Sequence, residues 1–133
     1  MATIESKKVQ LSAAPQEVFN YVHNLNNLIE LLPSDKVSDW KGSEDSCSFK
    51  VAGGYNLGLE RASASEPTQI VLRSTPSSPL KFDLDIRFSP ANSGTEAGMV
   101  CNIEANPFVM MMVEKPLRNL FDFIADRLNA KFN

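Results

Sequence analysis

The stretch that decides the fold is Asn106–Asn133, N-P-F-V-M-M-M-V-E-K-P-L-R-N-L-F-D-F-I-A-D-R-L-N-A-K-F-N. Leu117, Leu120, Phe121, Ile124, Leu128 and Phe132 recur at steps of three and four, the period that lines up one face of an α-helix. A face so apolar has to be buried against another layer, and that layer is legible just upstream. Leu80, Phe82, Leu84, Ile86 and Phe88 alternate with Lys81, Asp83, Asp85 and Arg87. Such strict alternation means a strand with one buried and one wet face. A long helix laid on a curved antiparallel sheet makes a container, and a container suits a small apolar molecule.

Working outward, residues 3–11 read as a first strand, and Pro15 with Glu17 opens a short helix whose buried face is Val18, Phe19 and Val22. Leu25 to Leu32 reads as a second short helix, closed by Pro33-Ser34-Asp35. Strands follow at 36–41, 46–52, 55–66, 68–74, 80–88 and 95–105. They are separated by turn-forming runs: Gly42-Ser43-Glu44-Asp45, the Gly53-Gly54 hairpin, Pro67, the 75–79 loop and 89–94. Val37 and Trp40 are apolar members of the second strand. The order is one strand, two short helices, six strands and a long helix, an α+β layout in a single domain spanning 1–133. Pro116 is expected to interrupt the closing helix, leaving an irregular Met-rich lead-in at 107–113 and a regular helix from about Glu114.

The chain has 133 residues and a formal charge of −3 with both signs interspersed. Without a basic stripe, no nucleic-acid partner is expected. The longest apolar run, Pro107 to Val113, is far shorter than the ~20 residues of a membrane-spanning helix. The first residues lack the apolar stretch of a secretory signal, so a soluble cytoplasmic protein is expected. Cys47 and Cys101 have no clustered His or Cys partners and read as small core residues, so no metal and no cofactor is expected.

Candidate cavity-lining residues are the inward strand positions Phe49, Leu57, Leu59, Leu72, Phe82, Leu84, Ile86, Met99, Cys101 and Ile103. To these the closing segment adds Phe108, Met112, Leu117, Leu120, Phe121 and Ile124. Three consecutive methionines, Met110, Met111 and Met112, point all round a helix, so one core face cannot hide them all; they form a candidate pocket mouth, protein contact or membrane-surface contact. Tyr55, Asn56, Arg61, Arg73 and Glu104 are the polar residues nearest the expected pocket walls, and Trp40 is a candidate rim aromatic. No catalytic residue is expected. His23 lacks a carboxylate to orient it, Asp83 and Asp85 fall on the wet face of their strand, no serine lies in a nucleophile elbow, and Gly53-Gly54 lacks the residues of a phosphate loop.

The entry Leu11-Ser12-Ala13-Ala14-Pro15-Gln16-Glu17-Val18-Phe19-Asn20-Tyr21-Val22, with its small-Pro-x-x-Val-Phe pattern, and the segment 106–117 resemble the START-like superfamily. This is the SRPBCC group of polyketide cyclases, lipid-transfer domains and the birch pollen allergen. The resemblance covers nearly the whole chain. It implies a helix-grip fold, a seven-stranded antiparallel sheet curved around the C-terminal helix with a hydrophobic cavity between them. It also implies binding or carriage of a small hydrophobic ligand such as a lipid, an isoprenoid or a polyketide-like ring. A cyclase or dehydratase activity, or a protein-interaction role through Met110–Met112, is the alternative the same group offers. Gly53-Gly54 does not match the glycine-rich loop of the plant allergens.

Overall fold

Leu84 of the alternating strand lies opposite Cys101, and Ile86 opposite Met99, in the longest pairing of the sheet, Lys81–Ala91 (β7) against Gly94–Glu104 (β8). The computed structural model describes residues 2–51, 55–76, 78 and 80–133, with Tyr55 described by its backbone alone. The Gly53-Gly54 turn and the Ser77 and Pro79 positions of the 75–79 loop lie outside the described residues. The remaining elements are Ala2–Glu5 (β1), Val9–Leu11 (β2), Pro15–His23 (α1), a 3₁₀ helix at Leu25–Leu31, Val37–Gly42 (β3), Ser46–Val51 (β4), Tyr55–Ser65 (β5), Gln69–Ser74 (β6) and Pro107–Phe132 (α2). The sheet is antiparallel, curved and unclosed, in the order β1-β8-β7-β6-β5-β4-β3, with β2 pairing further along β8.

The expected first strand is two strands. The register against β8 shifts by one residue between them: Ile4 faces Cys101, whereas Val9 faces Ala97. Strict alternation would put Ile4 and Val9, five apart, on opposite faces. The extra residue at Ser6–Lys8 brings both inward, so Ile4, Val9 and Leu11 are all buried. Ser6 seals the break, its amide donating to Met99 O and its Oγ accepting from the Met99 amide, each at 3.0 Å. A similar shift lies between Ser38 and Lys41, where Asp39 has φ 55°. It lets Trp40, three after Val37, turn in and stack on Phe49, ring centroids 6.0 Å apart.

β7 runs on to Ala91 where a turn was expected. The reversal is the two-residue Asn92-Ser93, with φ 50° and 67°, the handedness that matches the twist of paired strands. Gly94 follows because Leu11 O crosses so close that a Cβ would lie 2.0 Å from it. Thr95 is fully buried and its Oγ1 donates to Ala13 O at 2.8 Å, fixing the entry to α1.

α2 is one continuous helix of 26 residues, and Pro116 lies inside it. The expected break does not occur. Asn106 and Pro107 are a cap and first-turn pair, with Asn106 Oδ1 accepting from the Val109 amide at 2.9 Å, so the helix begins before the methionines. Proline removes the bond to the Met112 carbonyl. Both residues are on the exposed side, where water can satisfy that carbonyl. Val113, Leu117, Phe121, Ile124, Ala125 and Leu128 form the buried stripe.

The two ends of α2 are held differently. The C-terminal half is clamped: the Lys7 amide donates to Asp122 at 2.8 Å and Lys7 Nζ pairs with Asp126 at 2.5 Å. Arg127 donates to Glu30 O at 3.3 Å, and the Ser12 amide donates to Phe132 O at 3.1 Å and to Asn133 Oδ1 at 2.8 Å. Among the described residues, no hydrogen bond or ion pair joins residues 107–117 to the sheet; the first polar tie is Arg118, whose Nη1 donates to Glu5 O at 3.4 Å.

Candidate functional site

A cavity lies where α2 crosses the concave face of the sheet. Its floor is Phe49 of β4, Leu57 and Leu59 of β5, Leu72 of β6, Phe82, Leu84 and Ile86 of β7, and Met99 and Cys101 of β8. Its roof is Leu117, Leu120, Phe121, Ile124 and Leu128, and one end is stopped by Val22, Leu28, Leu31 and Leu32. The lining is wholly apolar and the free volume is about 30 Å³. One water needs roughly 10–15 Å³ by this measure, and small-molecule sites run to roughly 300–1,000 Å³. The interior, in this conformation, has room for a water or two.

Outside the helix a groove of about 440 Å³ opens between α2, the segment 33–37 and β4. Val37, Val51, Pro116, Leu117, Leu120 and Phe123 make its apolar part; Asp35, Lys36, Lys115 and Asn119 contribute polar groups. Leu117 and Leu120 belong to both spaces. Two side chains on the loosely held half of α2 and the turn after it therefore form the partition between a ligand-sized groove and the apolar interior.

Most of the cavity-lining positions expected from sequence meet around the interior space, and three do not. Ile103 is fully buried but packs at the far end of β8, opposite Phe82 and Ala2, where α2 lies directly on β1. Phe108 and Met112 are 72% and 54% exposed. They lie four apart on the outer side of α2, next to Met111, itself 81% exposed. Because the helix starts at Pro107 and keeps its phase through Pro116, that side stays turned from the sheet. Val22, Leu28, Leu31, Leu32 and Leu128 were absent from the expected lining. The three-residue step of Leu25, Leu28 and Leu31 was the available signal, because in a 3₁₀ helix side chains three apart eclipse on one face.

Of the expected polar residues, Asn56, Arg61, Arg73 and Glu104 do not reach the cavity, and the side chain of Tyr55 lies outside the described residues. Arg61 donates from Nη1 to His23 O at 2.6 Å and to Glu44 O at 3.0 Å, and pairs with Asp45, stapling α1 to the β3–β4 turn. Arg73 binds Glu60 at 2.8 Å on the outer face, and Glu104 is exposed. Asn56 is half-buried and is not part of the lining. Trp40 lies behind Phe49 rather than at the groove. His23 is half-buried against Phe19, ring centroids 5.3 Å apart. Asp85 accepts from Gln69 of β6 at 2.9 Å and pairs with Arg87 of its own strand at 2.8 Å, polar contacts on the outer face of the sheet. Among the described residues, Cys101 supplies the titratable group in the cavity wall. Burial and the charge of Asp83 push its thiol up to about 12, and burial pushes Cys47 likewise up to about 12, so both stay protonated near neutrality. Both cysteines are free. Among the described residues no three His, Cys, Asp or Glu converge to hold a metal, and no helix is long and apolar enough to cross a membrane.

No family model matches this sequence, and no curated protein matches it either. Solved structures do match along almost its whole length. XoxI from Bacillus cereus superposes with a TM-score of 0.78 at 11% identity, covering 99% of this chain and 96% of that one. A START superfamily protein from Mycobacterium smegmatis gives 0.74 at 14% identity, covering 98% and 96%. The Aha1 dimer from Colwellia psychrerythraea gives 0.67 at 12% identity, covering 97% of each chain. With a curved antiparallel sheet gripping a long C-terminal helix and two short helices after β2, the chain has the START-like fold.

Proposed function

We propose that this protein binds or carries a small hydrophobic molecule, a lipid, isoprenoid or polyketide-like ring, between the sheet and α2. The observation that carries this is the shared partition: Leu117 and Leu120 separate a groove of about 440 Å³ from a wholly apolar interior. A ligand lodges in the groove and extends inward as those side chains rotate. The apolar lining suits the holding of a hydrophobic molecule. Two free, buried cysteines suit the reducing cytoplasm as its compartment. The test is displacement of the neutral fluorophore N-phenylnaphthylamine, with native mass spectrometry of the complex. Leu120→Trp, which fills the partition, is expected to weaken probe binding at least about tenfold, a change on the scale of one methylene's fit in an apolar pocket. Probe binding unchanged in that variant places the ligand elsewhere, and a wild-type protein that binds no apolar probe sinks the reading.

A second reading, a contact surface at Met110–Met112, is supported by the exposure of Met111 and Met112 beside Phe108 on one side of α2, while Met110 packs half-buried against the core. Flexible, apolar side chains in solvent are the material of a contact surface, here for a protein or a membrane surface. The two readings separate on the same variant, because Leu120→Trp blocks the groove without altering this face.

A further inference from the structure

We propose that the ligand is an amphiphile with one apolar chain and an anionic head, and that Lys36 and Lys115 hold the head at the groove rim. This rests on the ligand-binding reading and adds the chemistry of the polar end. Across the described residues the arginines are engaged, and Lys7, Lys8, Lys50 and Lys131 each have a carboxylate partner. Among those residues Lys36 and Lys115 have none, yet both line the same groove, one from the segment before β3 and one from α2. The helix itself denies Lys115 a neutraliser. Position 119, one turn on, is Asn, and Glu114 is bound to Arg118 at 3.2 Å. Asp35 is the groove's single carboxylate, so its rim is cationic by one charge in a protein of net charge −3. Pro116, Leu117 and Leu120 follow directly behind Lys115 on α2 and lead toward the apolar interior. A cationic rim, an apolar groove of about 440 Å³ and an apolar interior behind it match a head and a tail in that order.

The test compares laurate with dodecanol, equal in chain length and different in head charge, by calorimetry on the full chain. Wild-type protein is expected to prefer laurate about tenfold at low salt, the combined worth of two exposed charge contacts. The preference should shrink as the screening length falls from ~10 Å at 0.1 M to ~3 Å at 1 M salt. Lys36→Gln with Lys115→Gln should abolish the preference and leave dodecanol affinity unchanged. Lys41→Gln with Lys81→Gln, two lysines likewise without ion pairs but outside this groove, should keep it. Equal binding of laurate and dodecanol by wild type overturns the anionic head and leaves the apolar site standing. A preference that survives the 36/115 double variant overturns the assignment to these lysines. Failure of both compounds to bind overturns the site as well.

Discussion

Cys47 and Cys101 show how burial at single residues becomes a property of the whole protein. Their thiols, near 9.0 when exposed, are pushed up to about 12 by desolvation. A group whose folded value is raised contributes stability that is complete below its unfolded value and is lost as pH climbs toward the folded one. Between pH 9 and 10 the unfolded chain sheds these protons and the folded chain keeps them. Each thiol should therefore cost up to about 1.4 kcal/mol per pH unit above its unfolded value. Urea titrations across that range are expected to show falling stability, with a shallower fall in Cys47→Ala and Cys101→Ala. A fall of equal slope in both variants would remove the thiols as its source. Strand phase alone places both cysteines in the core, since alternation assigns a face to each residue. Polar neighbours carry no such period: Arg61, expected near a pocket wall, binds two backbone carbonyls and Asp45, contacts set by loops far apart in sequence.

At the scale of elements, α2 is the main departure from what the sequence led one to expect. Proline costs about 3 kcal/mol relative to alanine in a helix interior, which is why a break at Pro116 was expected. The tertiary layer overrides that local cost, because Val113 and Leu117 on either side of the proline are both buried and hold the helical phase. Pro116→Ala should restore the bond to the Met112 carbonyl and stabilise the protein by about 1–3 kcal/mol, read as a rise in Tm. An unchanged or lower Tm would mean that the proline's groove contacts matter more than the lost bond. The same limit applies to the first strand and to β3. Alternation read from sequence assumes one residue per step, and each of these segments contains one extra, so Ile4 with Val9 and Val37 with Trp40 share a face against the simple count. Where alternation is uninterrupted, as from Lys81 to Phe88, the reading and the structure coincide.

The whole molecule was legible as strand, short helices, strands and a long helix, because hydrophobic period alone orders those layers. Its free space was not, since volume depends on the sum of side chains from many elements. The interior keeps about 30 Å³ while the groove outside opens to about 440 Å³. The uneven hold on α2 yields a prediction at this scale. Amides of residues 118–128 should exchange with solvent far more slowly than those of 111–115, because opening costs less where few contacts must break. Hydrogen-exchange mass spectrometry reads this directly, and uniform protection along α2 would contradict it. Saturating laurate should slow exchange in the first half and leave the second nearly unchanged.

The helix is, mechanically, a cantilever. Lys7, Glu30 and Ser12 grip its built-in end, and Leu117 stands near the boundary between the held and the free span. A deflection of the free tip, where Phe108 and Met111 project into solvent, changes the clearance at Leu117 and the width of the groove beside it. A body settling on that tip would be expected to alter the clearance at Leu117 without touching the groove itself, an effect that exchange protection along 111–115 would register.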